Sequence, residues 1–212
     1  GSDGLTMLIR IHAENPDPRR VQQAVNLLER DGVVVVPTDT VYSFACRLGS
    51  TKGMERIARL KGVKPEKAPF SLACADLSQI SAYSKPVSND VFKMMRRALP
   101  GPYTFILEAT TQVPKWFRGN KKTIGIRVPD HGALQAIVTA LGSPLVVSSV
   151  HDEDLVVEYT TDPELIEERF EQTVDAVVDG GLGALEASTV IDCTGGQIQI
   201  IREGRGPLDA IL

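Results

Sequence analysis

A chain of 212 residues is long enough for one domain with a substantial core and short for two. Its 42% hydrophobic and 24% charged residues, with a net charge of -4, are ordinary for a soluble globular protein. No apolar run approaches the roughly 20 residues of a membrane helix, and the N-terminus lacks the regions of a signal peptide, so a cytoplasmic protein with no membrane partner is expected.

The ends, cysteines and histidines of the chain place further limits on it. Residues 1–6, before Met7, are interpreted as the remnant of an expression tag, so the domain is expected to span residues 7–212. The three cysteines, Cys46, Cys74 and Cys193, are odd in number and widely spaced, which favours reduced thiols. The three histidines are also dispersed, so no protein-held metal site is predicted.

Charge is distributed unevenly along the chain. Residues 47–127 hold 16 Lys and Arg against 5 Asp and Glu, whereas residues 150–212 hold 3 against 15. The basic part is suited to attract phosphates, and a patch of this size fits either ATP or an RNA backbone. The alternative is that the two sets interleave on the folded surface and cancel.

The chain begins with a predicted edge strand over residues 7–12. A helix is predicted to follow from Pro18, with Asp17 as its N-cap, because apolar residues recur along one stripe and Pro is favoured at the first helical position. Gly32 is the predicted C-terminal stop of this helix.

Residues 32–48 organise the rest of the chain. Four consecutive valines, residues 33–36, predict a strand that is buried on both faces, and Pro37 ends it. Four hydroxyls and a carboxylate come next, before a second apolar segment with no room for a helix between. The pattern predicts two strands joined by a tight polar corner, at a place where open sheets hold ligands. Ordinary turn chemistry is the alternative interpretation of the corner. Its polar residues are Thr38, Asp39, Thr40, Tyr42 and Ser43.

The middle of the chain alternates helices and strands. A helix capped by Ser50 and Thr51 is predicted over residues 52–62, and Pro65 prevents its continuation. A buried strand is predicted at residues 70–75, a helical turn at 77–83, a helix after Ser88 and a strand at 103–109.

Arg127 is embedded in an apolar strand that follows Thr123. An unpaired buried guanidinium is expensive, so Arg127 needs a partner. Either it forms a structural ion pair with an acidic residue such as Asp39, or it binds a ligand.

The remaining pattern completes an α/β protein. A helix is predicted at residues 133–141, a buried strand at 144–150, an acidic loop at 151–159, a helix after Asp162 and Pro163, and strands near 175–181, 188–192 and 197–201. Helices alternating with strands, plus two strands joined directly, predict one α/β domain with a twisted mixed sheet.

Several segments, in the same order, resemble the YrdC/YciO family, whose best-known members make threonylcarbamoyl-AMP for tRNA modification. The resemblance runs from about residue 33 to residue 206 and leans toward the YciO branch. It implies the YrdC-like fold, an open sheet flanked by helices, with a basic concave face. The matching segments read PTDTVYSFACRL, LPGPYTFIL, KTIGIRVPDH, STVIDCTGG and IIREGRG.

The resemblance also implies a reaction and a set of site residues. Family members join L-threonine, bicarbonate and ATP, with Mg²⁺ expected on the ATP phosphates rather than in a protein cage. When the roles of the family's residues are assigned to the matching positions of this chain, Arg127 and Lys61 are the catalytic candidates. The residues expected to orient threonine are Thr38, Tyr42, Arg127, Ser188 and Thr189, and those expected to face the nucleotide are Lys61, Lys64, Ser148 and Arg202.

Three positions depart from the synthase pattern. Val63 stands where the synthases carry an arginine, Cys74 where they carry a histidine and Val150 where they carry an asparagine. The YciO branch departs from the synthases at the same three positions. Valine cannot hold phosphate oxygens as a guanidinium does. Two hypotheses therefore stand: a nucleotidyltransferase of the threonylcarbamoyl-AMP synthase type, or a non-catalytic protein that binds double-stranded RNA or tRNA in the same cleft. A hydrolase or transferase acting on another acyl group is a third.

Overall fold

The computed structural model describes residues 5–118, 121–150 and 158–212, whose strands form one ten-stranded sheet. The acidic loop predicted at 151–159 lies, for residues 151–157, outside the described residues. The strands are β1 (Met7–Arg10), β2 (Val34–Val36), β3 (Ser43–Arg47), β4 (Ser71–Ala73), β5 (Tyr103–Glu108), β6 (Thr123–Arg127), β7 (Leu145–Ser149), β8 (Ala176–Asp179), β9 (Thr189–Asp192) and β10 (Gln199–Arg202). The described α-helices are α1 (Pro18–Glu29), α2 (Thr51–Lys61), α3 (Leu77–Ile80), α4 (Asn89–Ala98), α5 (Lys115–Arg118), α6 (Gly132–Leu141) and α7 (Pro163–Arg169).

The sheet is open and mixed, as predicted. Its strand order is β1-β8-β2-β3-β7-β4-β6-β5-β9-β10. β2 and β3 form the predicted antiparallel pair across the polar corner, and β1 lies at an edge, where it pairs in parallel with β8. No helix in the described parts of the chain is long and apolar enough to cross a bilayer.

Helix termini follow the capping residues predicted from sequence, with one correction. Asp17 caps α1 by accepting a hydrogen bond from the Arg19 amide at 2.9 Å. The predicted stop at Gly32 is wrong, because the left-handed residue after α1 is Asp31, with a φ of 64°. Gly32 is instead needed for close approach, since a Cβ there would lie 2.5 Å from the Leu27 carbonyl oxygen.

Side chains alternate between the two faces of the sheet, and each face has its own cover. On one face, α2, α3, α4 and α7 pack against a continuous apolar layer that includes Phe44, Leu72, Phe105, Ile126 and Ile191. On the opposite face, α1 and α6 cover the part of the sheet that contains β1, β8, β2, β3 and β7. The rest of that second face has no helix over it among the described residues, and it forms the floor of a cleft.

His131 ties α6 to the turn after β8. Its Nδ1 accepts a hydrogen bond from the Ala133 amide at 3.2 Å, so the neutral ring caps α6, and Nε2 is left to donate to the Gly180 carbonyl at 3.2 Å. Burial lowers the pKa of His131, and the Gly180 hydrogen bond and nearby carboxylates oppose this effect only in part. The folded protein therefore favours the neutral ring.

We expect the free energy of unfolding to decrease as the pH falls through about 6.5, the pKa of histidine in an unfolded chain. Above that pH neither state protonates the ring, whereas below it the unfolded state takes up the proton first. Urea unfolding at a series of pH values measures the effect. His131→Asn keeps a capping oxygen without a titration and should flatten the pH dependence, while His12→Asn, at an exposed histidine, should not. Parallel curves for wild type and His131→Asn would contradict the prediction.

Candidate functional site

The uncovered part of the sheet forms a cleft of about 370 Å³. Its floor is made by residues that alternate with the apolar layer on the opposite face: Ser71 on β4, Thr104 on β5, Gly125 on β6 and Val147 on β7. Ser71, Thr104 and Gly125 are small or hydroxyl-bearing, whereas Leu72, Phe105 and Ile126 next to them point to the opposite face. One end of the cleft is apolar, where the rings of Phe70 and Phe117 lie 5.9 Å apart.

The polar corner between β2 and β3 is internally hydrogen-bonded. The Thr38 hydroxyl donates to the Val41 carbonyl at 2.8 Å and accepts from the Thr40 amide at 2.9 Å. Because the Thr38 proton is used in this way, the Thr40 hydroxyl, 3.0 Å away, donates to Thr38. The Thr40 oxygen is then free to accept, and it faces the cleft. The corner therefore has the internal hydrogen bonds of an ordinary turn, and Thr40 of the same corner lines the cleft.

Arg127 lies at the cleft wall and is only 6% exposed. Its Nη1 donates to Thr40 Oγ1 at 3.0 Å, and its Nη2 forms an ion pair with Asp39 Oδ1. Nε has no hydrogen-bond partner in the described part of the chain. The structural ion pair is thus present and, at the same position, a guanidinium nitrogen is left without an acceptor. Ligand binding by Arg127 stays a prediction.

The charges around Arg127 act on one another. Burial lowers the pKa of its guanidinium, the Asp39 carboxylate opposes that effect, and the positive charge of Arg202 adds to it. Arg202 is fixed on the opposite wall, where its Nε donates to the Ser188 carbonyl at 3.0 Å. The Ser188 hydroxyl in turn lies 2.7 Å from Thr104 Oγ1. Two guanidinium groups therefore line this part of the cleft, and the Asp39 carboxylate holds one of them without itself lining the cleft.

The residues predicted on the nucleotide side are partly brought together. Lys61 Nζ, at the end of α2, donates to the Ser149 carbonyl at 2.7 Å, and Ser149 lines the cleft. Ser148 lines it too, with its hydroxyl donating to the Pro69 carbonyl at 3.2 Å. Lys64 precedes the 3₁₀ turn Pro65–Lys67 and is exposed, outside the lining of the cleft.

Thr38, predicted on the threonine side, is not among the lining residues, and two further residues of that set also have side chains outside the cleft. Thr189 is buried, and its hydroxyl donates to the Gly206 carbonyl at 2.6 Å, because it shares the β9 face of Ile191. Tyr42 is also buried, with its hydroxyl donating to the Gly181 carbonyl at 2.6 Å and accepting from the Gly180 amide at 3.1 Å. Burial raises the pKa of the Tyr42 phenol. Both positions act here on the loop and C-terminal segment that carry Ser188 and Arg202.

Tyr42→Phe should lower the free energy of unfolding by about 1–3 kcal/mol, because two backbone groups lose their hydrogen-bond partner. Ligand affinity should change little, since the hydroxyl does not line the cleft. Urea unfolding and titration with L-threonine measure the two effects separately. Unchanged stability with lost threonine binding would instead favour the direct contact that the family resemblance implies.

The three positions that depart from the synthase pattern occupy ordinary structural environments. Val63 follows the left-handed Gly62, and its amide donates to the Ala58 carbonyl at 3.0 Å in the hydrogen bonding that ends α2. Cys74 is buried, which raises the pKa of its thiol to about 12, so the inert packing role predicted for it fits. Val150 is buried beside the end of β7.

The sequence prediction missed the floor of the cleft. Ser71, Thr104, Thr123 and Gly125 line it, yet they sit in segments that were interpreted only as strands. Their alternation with Leu, Ile and Phe was a usable signal, because a period of two places them all on one face. Within the described residues, no three His, Cys, Asp or Glu side chains cluster as metal ligands would.

Fold and site define an α/β protein with one open mixed sheet and a hydroxyl-lined, arginine-bearing cleft on its uncovered face. The chain belongs to the Sua5/YciO/YrdC family, whose profile, described as "Telomere recombination", matches residues 26–204. The resemblance and the fold class predicted from sequence are thereby confirmed.

Three relatives place the chain within this family. It is 39% identical to the Uncharacterized protein YciO of Escherichia coli K12 over 210 residues, covering 98% of this chain and 100% of that protein. The crystal structure of E. coli YciO superposes with a TM-score of 0.89. A threonylcarbamoyl-AMP synthase of Halorhodospira halophila is 31% identical over 174 residues, covering 82% of this chain and 90% of that protein. Sua5 of P. abyssi complexed with L-threonine is 24% identical, with a TM-score of 0.87 over 97% of this chain and 60% of that one.

Proposed function

We propose that the protein is an L-threonylcarbamoyladenylate synthase-like enzyme that binds ATP, L-threonine and bicarbonate in the cleft and serves the threonylcarbamoyladenosine modification of tRNA. One observation carries the proposal: a buried guanidinium, Arg127, stands at the wall of a hydroxyl-lined cleft, and one of its nitrogens has no acceptor among the described residues. A planar guanidinium is suited to a carboxylate, and an amino acid supplies one. The synthase names of relatives and the threonine complex of Sua5 are consistent with it.

The proposed chemistry is adenylyl transfer. Bicarbonate and the threonine amine form a carbamate with loss of water, a carbamate oxygen attacks the α-phosphorus of ATP, and the bond from that phosphorus to the oxygen bridging to the β-phosphate breaks, so that pyrophosphate leaves. Mg²⁺ arrives with ATP as part of the substrate. The protein's task is then to position the reactants and to neutralise developing negative charge. We assign the carboxylate to Arg127, which Thr40 helps to hold, and the phosphates to the positive charges of Arg202 and of Lys61 at the edge beside Ser149.

Pyrophosphate release from ATP tests this function. It should require both L-threonine and bicarbonate, and it should collapse in Arg127→Ala and in Lys61→Ala. Lys93→Ala on the exposed side of α4 is a matched control that should leave the rate unchanged. Absence of threonine-dependent release in a folded wild-type protein would overturn the proposal.

A second candidate, non-catalytic binding of double-stranded RNA or tRNA, is favoured by Val63 and Val150 at positions where the synthases carry phosphate-binding side chains. RNA affinity would then fall with salt, by about a thousandfold between about 50 and 200 mM for six phosphate contacts. A discrete ATP site would respond much less.

A further inference from the structure

The two edge strands of the sheet differ in how their backbones are protected. At the β1 edge, the Arg10 carbonyl accepts a hydrogen bond from Arg20 Nη1 at 2.9 Å, and the Arg10 side chain forms an ion pair with Asp179. At the β10 edge, no described residue outside β9 forms a backbone hydrogen bond with residues 197–202. Alternate N–H and C=O groups of an edge strand point away from the sheet, so β10 offers them to another strand.

The β10 segment also lacks the residues that usually keep edge strands apart. Residues 193–201 contain neither a charged residue nor a proline, in a chain that is 24% charged. Lysine and proline are common protections of an edge, whereas isoleucine favours strand pairing. Arg202 follows the segment, but its guanidinium lines the cleft and donates to the Ser188 carbonyl. An identical strand therefore meets no like charge along these residues.

Two isoleucines of this edge are exposed to solvent. Ile198 is 43% exposed and Ile201 is 52% exposed. The register between β9 and β10 shifts between Ile200 and Arg202, which leaves Ile201 in a bulge without its own partner on β9. Ile200, in contrast, packs against the apolar layer under α4. Exposed apolar side chains on an unpaired strand are typical of a surface that associates with another strand.

We propose that β10 is an interaction surface on which a second copy of this chain pairs its own β10 in antiparallel orientation. The spacing of the two isoleucines favours a second copy as the partner. When the pairing is centred between Gln199 and Ile200, Ile198 of one copy lies opposite Ile201 of the other, twice in the interface, and all four are removed from water. Such a two-fold interface is self-complementary and closes at two copies.

The inference does not depend on the proposed function. Arg202, on the same strand, lines the cleft, so the interface lies beside the proposed active site.

Sedimentation equilibrium of the full chain over a series of protein concentrations tests the inference. Wild type should approach the mass of two chains as the concentration rises. Ile198→Lys and Ile201→Lys should each raise the dissociation constant at least about tenfold, because a lysine on an edge strand opposes pairing. Leu165→Lys is the matched control, since it places the same charge at a leucine that is 43% exposed on α7, a helix that contacts β8 and β1, and it should leave the dissociation constant unchanged.

Two further measurements test the pairing itself. The double variant Ile198→Lys/Ile201→Glu places opposite charges across the interface, so it should associate more tightly than either Ile198→Lys or Ile201→Glu alone. Hydrogen exchange needs no variant: in wild type, the outward-pointing amides of β10 should exchange more slowly as the protein concentration rises, whereas the amides of β1 should not.

The outcomes that would overturn the inference are distinct. A wild type that stays monomeric, with hydrogen exchange independent of concentration, would leave the β10 edge to a strand of another protein. Association that continues beyond two copies would contradict a closed pairing. Unchanged association in both isoleucine variants, or equal weakening by Leu165→Lys, would place the interface elsewhere. A double variant no tighter than its single variants would contradict the pairing of Ile198 with Ile201. Should the isoleucine variants fail to fold, hydrogen exchange of wild type decides alone.

Discussion

Replacing Arg127 by alanine should lower the free energy of unfolding by about 3 kcal/mol and abolish threonine-dependent pyrophosphate release. The loss of stability follows because Asp39 would be left as a nearly buried charge without its partner. The loss of stability is expected at the low end for a buried pair, since the Asp39 side chain keeps 12% of its surface exposed. Urea unfolding measures the first effect and a coupled phosphate assay the second.

Two further variants separate stability from function. Arg127→Lys keeps a positive charge for Asp39 but not the planar fork, so it should recover part of the stability and little of the activity. Arg97→Ala removes an arginine of α4 that donates to the Ile211 carbonyl, away from the cleft lining, and should leave pyrophosphate release unchanged. Full activity in Arg127→Lys would argue that Arg127 acts only as a point charge.

Most of the fold was predictable because local patterns and tertiary packing agree. Three of the four valines before Pro37, Val34–Val36, form a buried strand, and Ser50 and Ser88 cap the helices predicted after them. The helix α5 was missed because four residues are too few to show a helical period. Pairing across the sheet, such as β1 with β8, joins segments about 170 residues apart and leaves no trace in either segment alone.

The site was predictable only in part, because a residue's type does not say which way its side chain points. Ser188 and Thr189 are adjacent hydroxyls that were assigned the same role, yet only Ser188 lines the cleft. The direction follows from Ile191, which is buried on the same face as Thr189. The Tyr42 hydroxyl also lies outside the lining, because it finds backbone partners in a loop that is distant in sequence, and its role toward threonine stays a prediction.

In the described part of the chain, α1 and α6 cover only part of one sheet face, which fits the small and hydroxyl-bearing side chains on the floor of the cleft. Where α1 and α6 cover the sheet, the same alternation carries Val34, Val36 and Ala45. On the part of this face that α1 and α6 do not cover, the corresponding positions are Ser71, Thr104 and Gly125, because neither helix is there to bury larger apolar side chains. The side chains on this face of each strand are therefore apolar where α1 and α6 cover the sheet, and smaller or hydroxyl-bearing where they do not.

Gly125→Val should reduce the affinity for L-threonine or for ATP by at least about tenfold while changing the free energy of unfolding by less than about 1 kcal/mol. A Cβ at this position would lie on the cleft floor, 3.2 Å from Thr104 Cγ2 and 3.7 Å from Ser71 Cβ. Valine suits a strand better than glycine does, which offsets the pressure on Thr104. Its methyl groups occupy space that a ligand would need.

A graded series makes this prediction specific. Gly125→Ala adds one carbon and should have an intermediate effect, because Thr104 is held by its contact with Ser188 and yields little. Thr123→Val lies on the same strand and face but adds no atoms to the floor, so it should disturb binding far less than Gly125→Val. Calorimetric titration and urea unfolding of the three variants test the series. If Gly125→Val binds L-threonine and ATP as wild type does, these ligands do not occupy the centre of the cleft. The RNA-binding alternative then gains weight, because a phosphate backbone would bind along the basic rim of the cleft without reaching the floor.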